Sequence, residues 1–399
     1  MKRNVYIMYA ISLLQGMVFY APIATLYRTA QGLSVFQITL TESLFFILCL
    51  VMEIPWGIIA DKIGYKKTMV FCCGLYFASK IVFWQAAGFI WFLLERIMLG
   101  IVFAGLSGVD TSILYLSCEE GESQKSFGIY NSLGTIGLLI SAIIYSTCIK
   151  ENYKLAGFLT VISYGISMVM SLYLVEVKKQ ENKICNKYKI GKSIVDYVEE
   201  SCKEIRKIIR NKNLLYLLIA VAFISETCHV VTVFLNQLKY ESCGLSSSVI
   251  GYVYVIATIV SLCEAFSDFV TKKAGEQRIG KLIFFIVTIS CLLLAFTQKA
   301  MISIISILLL QISNSIFQPL QLELQNRQVS TENRATVLSI NAMFIDCISI
   351  VINLILGYIA QINLTIAFLF GAGICFLGLL YFRKYCIFNE LTLFVAKQL

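Results

Sequence analysis

Glu226 and His229 stand three residues apart in an apolar run and so share one face of any helix built there. A carboxylate and an imidazole held away from water can exchange protons near neutral pH. The same spacing suits a hydrogen-bonded pair lining a cavity. Asp346 lies in another apolar run with no charged neighbour in sequence. Arg96 lies in a third, next to Glu95 and about 100° round a helix from it, so the two need not share a face. Ionisable groups in such surroundings are costly and are functional hypotheses by default. Arg96, Glu226, His229 and Asp346 are therefore the candidates for proton coupling, with a structural hydrogen-bond hub as the other role open to Arg96. Glu53, Asp110 and Glu264 are candidates to line a substrate cavity. Glu53, two residues before Pro55, suits a helix–helix contact equally well. Asp110 and Lys80 lie near enough to the ends of their runs to snorkel. Glu264 and Asp268, four apart, make a second acidic stripe. Acids outnumber bases in these runs, and beside 21 Tyr and 27 Phe they suit hydrophobic or cationic small molecules. The aromatic rings serve helix packing and interfacial belts as readily.

The elements that must position these groups follow from composition. The chain is 58% hydrophobic and only 14% charged, against about 25% charged in soluble domains. Its apolar runs predict spans at 5–26, 36–60, 68–87, 89–110, 127–149 and 155–176, then 213–235, 248–270, 279–297, 299–320, 335–358 and 363–384. Each is long enough to cross a bilayer, and the first reads as a retained helix. The expectation is an all-α membrane protein of twelve transmembrane helices in two six-helix bundles, 1–176 and 213–399, joined by a charged connector at 177–212. Lysines and arginines are retained on the cytoplasmic side of membranes. Here 26 of them fall on the side of the N-terminus and five on the other. Both termini are thus expected in the cytoplasm, and the net charge of +9 is a topology signal that leaves nucleic-acid binding unneeded. Ile190, Ile194, Val198, Cys202, Ile205 and Ile209 recur at helical spacing in the connector, which predicts an amphipathic helix on the inner membrane surface.

Between the second and third spans the chain reads Gly57-Ile-Ile-Ala-Asp61-Lys62-Ile63-Gly64-Tyr65-Lys66-Lys67. Apolar sequence ends in an acid, two glycines and three lysines, then resumes, as a tight basic turn between membrane helices would. Glu53, Gly64 and Lys67 align with Glu264, Gly275 and Arg278 in the second half, as a degraded internal repeat would. Arg96-x-x-x-Gly100, Ser107-Gly108-Val109-Asp110 and Glu332-Asn333-Arg334-Ala335-Thr336-Val337-Leu338-Ser339 complete the set. Together these motifs resemble the major facilitator superfamily of transporters, in its bacterial multidrug-efflux-like branch. The resemblance covers essentially the whole chain. It implies that Gly57, Asp61, Gly64, Lys66 and Lys67 form a conformational latch, with Asp61 near the start of the eleventh helix, which Thr331 could cap. An ordinary loop acid balancing Lys62 and Lys66 is the alternative. It also implies a link between Arg96 and proton coupling. Drug–proton antiporters usually carry a glycine–proline motif in the fifth helix. This chain has Gly128, Gly134 and Gly137 there and no proline.

No G-x-x-x-x-G-K-[ST] occurs, so ATP hydrolysis is not expected, and one histidine does not build a Ser/His/Asp site. Fourteen cysteines include no C-x-x-C pair, and nine lie in apolar segments, where cysteine packs as a small hydrophobe. No enzyme activity, cofactor or metal is expected. The reading is a monomeric, multi-pass transporter of the cell membrane that exports hydrophobic or cationic small molecules by proton-coupled alternating access. Uptake or facilitated transport of a sugar, peptide or other metabolite is the alternative, and a non-transporting receptor or scaffold a third.

Overall fold

A computed structural model of the chain describes residues 2–118, 123–177, 210–328 and 334–398. Their regular structure is helical throughout. Among the described residues twelve helices are long and apolar enough to cross a membrane. In the first half they are span 1, Arg3–Ala30; span 2, Val35–Met52; span 3, Tyr65–Gln85; span 4, Phe89–Ser117; span 5, Lys125–Ile149; and span 6, Tyr153–Leu172. In the second half they are span 7, Lys212–Ser242; span 8, Ser247–Glu264; span 9, Glu276–Phe296; span 10, Ala300–Arg327; span 11, Ile340–Ile362; and span 12, Leu364–Phe388. The protein is an all-α membrane protein. Large apolar side chains such as Ile90, Phe103, Phe285 and Phe296 are exposed on its helices, as surfaces facing lipid rather than water require. The helices of spans 10 and 12 run to Arg327 and Gln398, past the apolar stretches expected at 299–320 and 363–384. Helical hydrogen bonding continues there after the apolar pattern has stopped. Residues 178–209 of the expected connector lie outside the described residues.

Contacts divide the described chain into two units. The first runs to residue 177 and includes Ser246–Val255, and the second holds the remainder. In the first unit span 1 is discontinuous. A helix at Lys2–Gly16 stops, the chain passes through Met17–Tyr20, and a 3-10 turn at Ala21–Ile23 with Pro22 leads into a helix at Ala24–Ala30. The break frees backbone groups that cannot stay unpaired at membrane depth, and span 6 supplies partners from one face. Ser163 Oγ donates to the Leu14 carbonyl at 2.5 Å, and the Tyr164 hydroxyl to the Gln15 carbonyl at 2.6 Å. Thr160 Oγ1 accepts from the Phe19 amide at 3.0 Å. Gly16 meets Gly134 and Gly137 of span 5 with so little space that a Cβ on either Gly16 or Gly137 would overlap a carbonyl oxygen of the facing helix. The glycines of span 5 therefore join two backbones, without a proline.

The second unit packs Phe284, Phe317 and Phe382 at ring separations of 5.5–6.3 Å. Buried Lys239 donates at 2.6 Å to the carbonyl of Thr297, the C-cap of the span 9 helix, where the helix dipole favours a cation. The expected repeat is visible in backbone. Gly64 and Gly275 each hold a positive φ, +99° and +89°, between the end of one helix and the start of a 21-residue helix. That region of φ is open to glycine and strained for other residues. Near Gly275, Arg327 forms two 2.8 Å hydrogen bonds to Glu276 and one of 2.9 Å to Glu323. All three side chains are at least one-third exposed, so Arg327→Ala is expected to cost no more than about 1 kcal/mol. The melting temperature compared at low and high salt would check this.

Candidate functional site

Antiparallel spans bring distant residues to one depth. Glu42 lies seven residues after the start of the helix Val35–Ile63, and Lys80 five before the end of Tyr65–Gln85. Glu95 and Arg96 follow the start of Phe89–Leu106 by six and seven, and Arg28 lies in the last turn of the helix Ala24–Ala30. At about 1.5 Å per residue, all five lie at the end of the bundle remote from the N-terminus. They converge there. Arg96 reaches Glu42 at 3.0 Å and Glu95 at 3.7 Å, and Lys80 lies 3.9 Å from Glu95. Arg28, Glu42, Lys80 and Glu95 are 4, 7, 5 and 1% exposed. The Lys80 ammonium donates to the Tyr20 hydroxyl at 3.1 Å and lies 4.9, 5.1 and 5.7 Å from the ring centres of Tyr76, Tyr164 and Tyr20. The Arg28 guanidinium stands over the Phe83 ring at 5.5 Å. Such ring faces attract cations.

Four of these residues were not among the candidates read from sequence for coupling or the cavity. Glu42 was not singled out, Glu95 was named only as a neighbour of Arg96, and Lys80 was expected to snorkel. Arg28 was placed beyond the end of span 1. The structure buries Lys80, because span 6 and the broken part of span 1 close over the route to the membrane edge. Glu95 and Arg96 come together despite their 100° separation, because the long guanidinium folds back. A signal was available. A buried arginine needs counter-charges, and Glu42 and Glu95 lie at its depth.

In the second unit, Glu226 is buried and its Oε1 lies 3.5 Å from His229 Nδ1. His229 meets Phe234 edge-on at 5.6 Å. Directly after His229 the helix widens into a π-helical stretch, Val230–Leu235, a deformation found often at functional sites. The spacing of Glu226 and His229 thus brings them into contact, as expected. Asp346 is half-buried in the helix Arg334–Ile362. Glu264 is exposed, on a 3-10 turn at Leu262–Phe266, and Asp268 makes an exposed 2.7 Å pair with Lys272. Buried amides also occupy this unit. Gln321 donates to Gln318 at 3.2 Å and accepts from Gln325, and the buried Asn341 and Asn353 side chains have no hydrogen-bond partner among the described residues. Uncharged amides gave no sequence signal.

Asp110 opens the second segment of span 4, Val109–Ser117, and accepts from the Thr111 amide at 2.6 Å. That span is interrupted at Ser107–Gly108, where Gly108 is left-handed. Of the expected latch, Gly64 and Lys66 are half-buried and Lys67 is exposed. Glu176, just after span 6, accepts from the Lys66 amide at 3.2 Å and closes over Gly64, so an acid sits at the start of the span 3 helix. The side chains of Glu53 and Asp61, the site of Gly57, and Thr331 lie outside the described residues. Among the described residues no group of three or more His, Cys, Asp and Glu side chains is placed to hold a metal ion.

A family model described as Major Facilitator Superfamily matches residues 5–352. An uncharacterized MFS-type transporter of Methanocaldococcus jannaschii is 28% identical over 193 residues, covering 46% of this chain and 49% of that one. The chain spans about half the length or less of the curated relatives it matches. Among solved structures, the nucleoside transporter NupG superposes with a TM-score of 0.78 at 14% identity, over 96% of this chain and 98% of that one. A D-xylose-proton symporter gives 0.72 at 13% identity, over 96% and 97%. At such identities the likeness is one of fold.

Proposed function

Because this chain belongs to the Major Facilitator Superfamily, we propose that it is a proton-coupled secondary transporter that exports hydrophobic or cationic small molecules by alternating access. On this reading it is a monomer in the cell membrane with both termini in the cytoplasm. The observation that carries proton coupling is the Glu226–His229 contact, an ionisable pair in span 7 directly before a π-helical stretch. Asp346 on span 11 is the second carboxylate for this role, and Arg96 the coupling arginine of the first half. The motif glycines and lysines, with Asp61, act as the latch.

The test is uptake of a fluorescent lipophilic cation into inverted vesicles, with and without a proton gradient. Gradient-driven accumulation is expected, falling at least tenfold in Glu226→Gln while the variant stays folded. A folded parent that accumulates no cation under any gradient removes the cationic substrates. A second reading, transport of a polar metabolite, draws on the buried amides of spans 10 and 11. It also draws on the fold shared with a nucleoside transporter and a D-xylose-proton symporter.

A further inference from the structure

Among the described side chains, the charge count of the first unit's buried cluster is unbalanced. Arg28, Lys80 and Arg96 face Glu42 and Glu95, three cations to two carboxylates, in a region where four of the five are more than nine-tenths buried. Arg96 takes both acids as contacts. Lys80 makes its hydrogen bond to Tyr20, shares Glu95 with Arg96 at 3.9 Å and is otherwise walled by tyrosine rings. Among the described residues Arg28 makes no ion pair with a carboxylate, and its Nε has no hydrogen-bond partner. One positive charge is left over, and an uncompensated buried charge is strongly unfavourable.

Two ligands could answer this charge, and their signs separate them. A proton added to Glu42 or Glu95 would leave two positive charges in excess, so the cluster is badly suited to take up protons. An added anion brings the sum to zero. An anion with an apolar body would meet an aromatic wall here: the rings of Tyr76, Tyr164 and Phe83 stand beside Lys80 and Arg28, and Tyr76 is the partly exposed one of the three. Tyr20 lies in the non-helical part of span 1, and Arg28 on the short helix beyond it. Non-helical backbone at this depth is a feature of transporter binding sites.

We propose that this cluster binds the negatively charged group of the transported molecule, with Lys80 and Arg28 as its contacts, and that the substrate is an amphipathic organic anion. The inference rests on the transport reading above and replaces its cationic substrates, which the acids of the sequence had suggested, with a carboxylate on an aromatic-sized apolar body.

The experiment is a binding titration on the purified full chain in detergent with 2-naphthoate. The control is 2-naphthyltrimethylammonium, which has the same ring system and the opposite charge. Naphthoate is expected to bind at least tenfold more tightly than the control, and Lys80→Gln to weaken it at least tenfold through loss of a charge-assisted contact. Glu95→Gln removes a competing carboxylate and is expected to tighten binding, which a lysine holding helices together would not predict. Equal binding of probe and control overturns the proposal. So does a folded Lys80→Gln with unchanged naphthoate affinity. Should Lys80→Gln fail to fold, Glu95→Gln decides: tighter binding supports the site, and unchanged or weaker binding overturns it. Gradient-driven flux in vesicles is read separately. No preference for naphthoate in a parent protein that still shows gradient-driven flux of the lipophilic cation defeats this proposal alone, whereas naphthoate binding with no flux of any solute defeats the transport reading instead.

Discussion

Arg96→Gln is expected to lower the melting temperature of the purified protein by roughly 10 °C, for a loss of about 3–5 kcal/mol. The argument is one of pairing rather than of total charge. Removing the guanidinium brings the cluster of the first unit to a zero sum, yet Glu42 loses its 3.0 Å ion-pair contact and keeps no other among the described residues. A buried carboxylate cannot collect on a neutral sum when the remaining cations are held elsewhere. Lys80 is tied to Tyr20, and Arg28 lies over Phe83. Two further variants separate this from a mere packing defect. Arg96→Gln combined with Glu42→Gln removes charge and counter-charge together and is expected to recover more than half of the lost stability. Arg96→Lys restores a charge but not a planar fork that reaches two carboxylates, so its recovery should be smaller. A single Arg96→Gln variant that melts within 2 °C of the parent, an order-of-magnitude bound on such effects, would show that Glu42 does not depend on this pair.

What the sequence discloses here depends on whether a feature is local. The spans are local, since each is a run of apolar residues ended by polar ones, and they were legible. The contact of Glu226 with His229 was legible because three residues along a helix set it. The matching turns at Gly64 and Gly275 were legible because a positive φ selects glycine wherever the chain must bend so. The charge cluster was not, because it is assembled from four spans. Depth alone placed Lys80 near a membrane edge, and only the packing of span 6 and Tyr20 over it shows that the ammonium stays inside. Arg28 was counted with the loops because the apolar run of span 1 ends just before it. The helix beyond Pro22 carries it back among the others. Pro22 marks a kink near the end of span 1 in sequence, but the break back to Gly16 does not show there, because the residues between them are as apolar as those of a continuous helix. The latch turns on Asp61 and Thr331, which lie outside the described residues, so its basis is still the motif.

Gly137→Val is expected to prevent accumulation of folded protein or, at best, to cost about 3 kcal/mol. The reason lies in how spans 1 and 5 meet. A Cβ on Gly137 would fall within the Leu13 carbonyl oxygen and 3.1–3.2 Å from the backbone of Gly16, while one on Gly16 would overlap the Gly134 carbonyl. Ser12 Oγ donates to the Tyr130 carbonyl at 2.6 Å in the same seam. Small residues let membrane helices approach to this distance, where packing rather than hydrophobic burial holds them. Backbone cannot yield as a flexible side chain can, so even Gly137→Ala must push the helices apart. It would also strain the span 6 hydrogen bonds that satisfy the break in span 1 at Leu14, Gln15 and Phe19. Gly128 supplies the control on the same helix, since nothing lies within 4 Å of a Cβ placed there. Alanine is the better helix former by about 1 kcal/mol, so Gly128→Ala should melt at or above the parent and Gly137→Ala well below it. Paired melting curves in one detergent read the difference. If both alanine variants gain stability, the two spans are not in backbone contact, and the role assigned to these glycines fails with it.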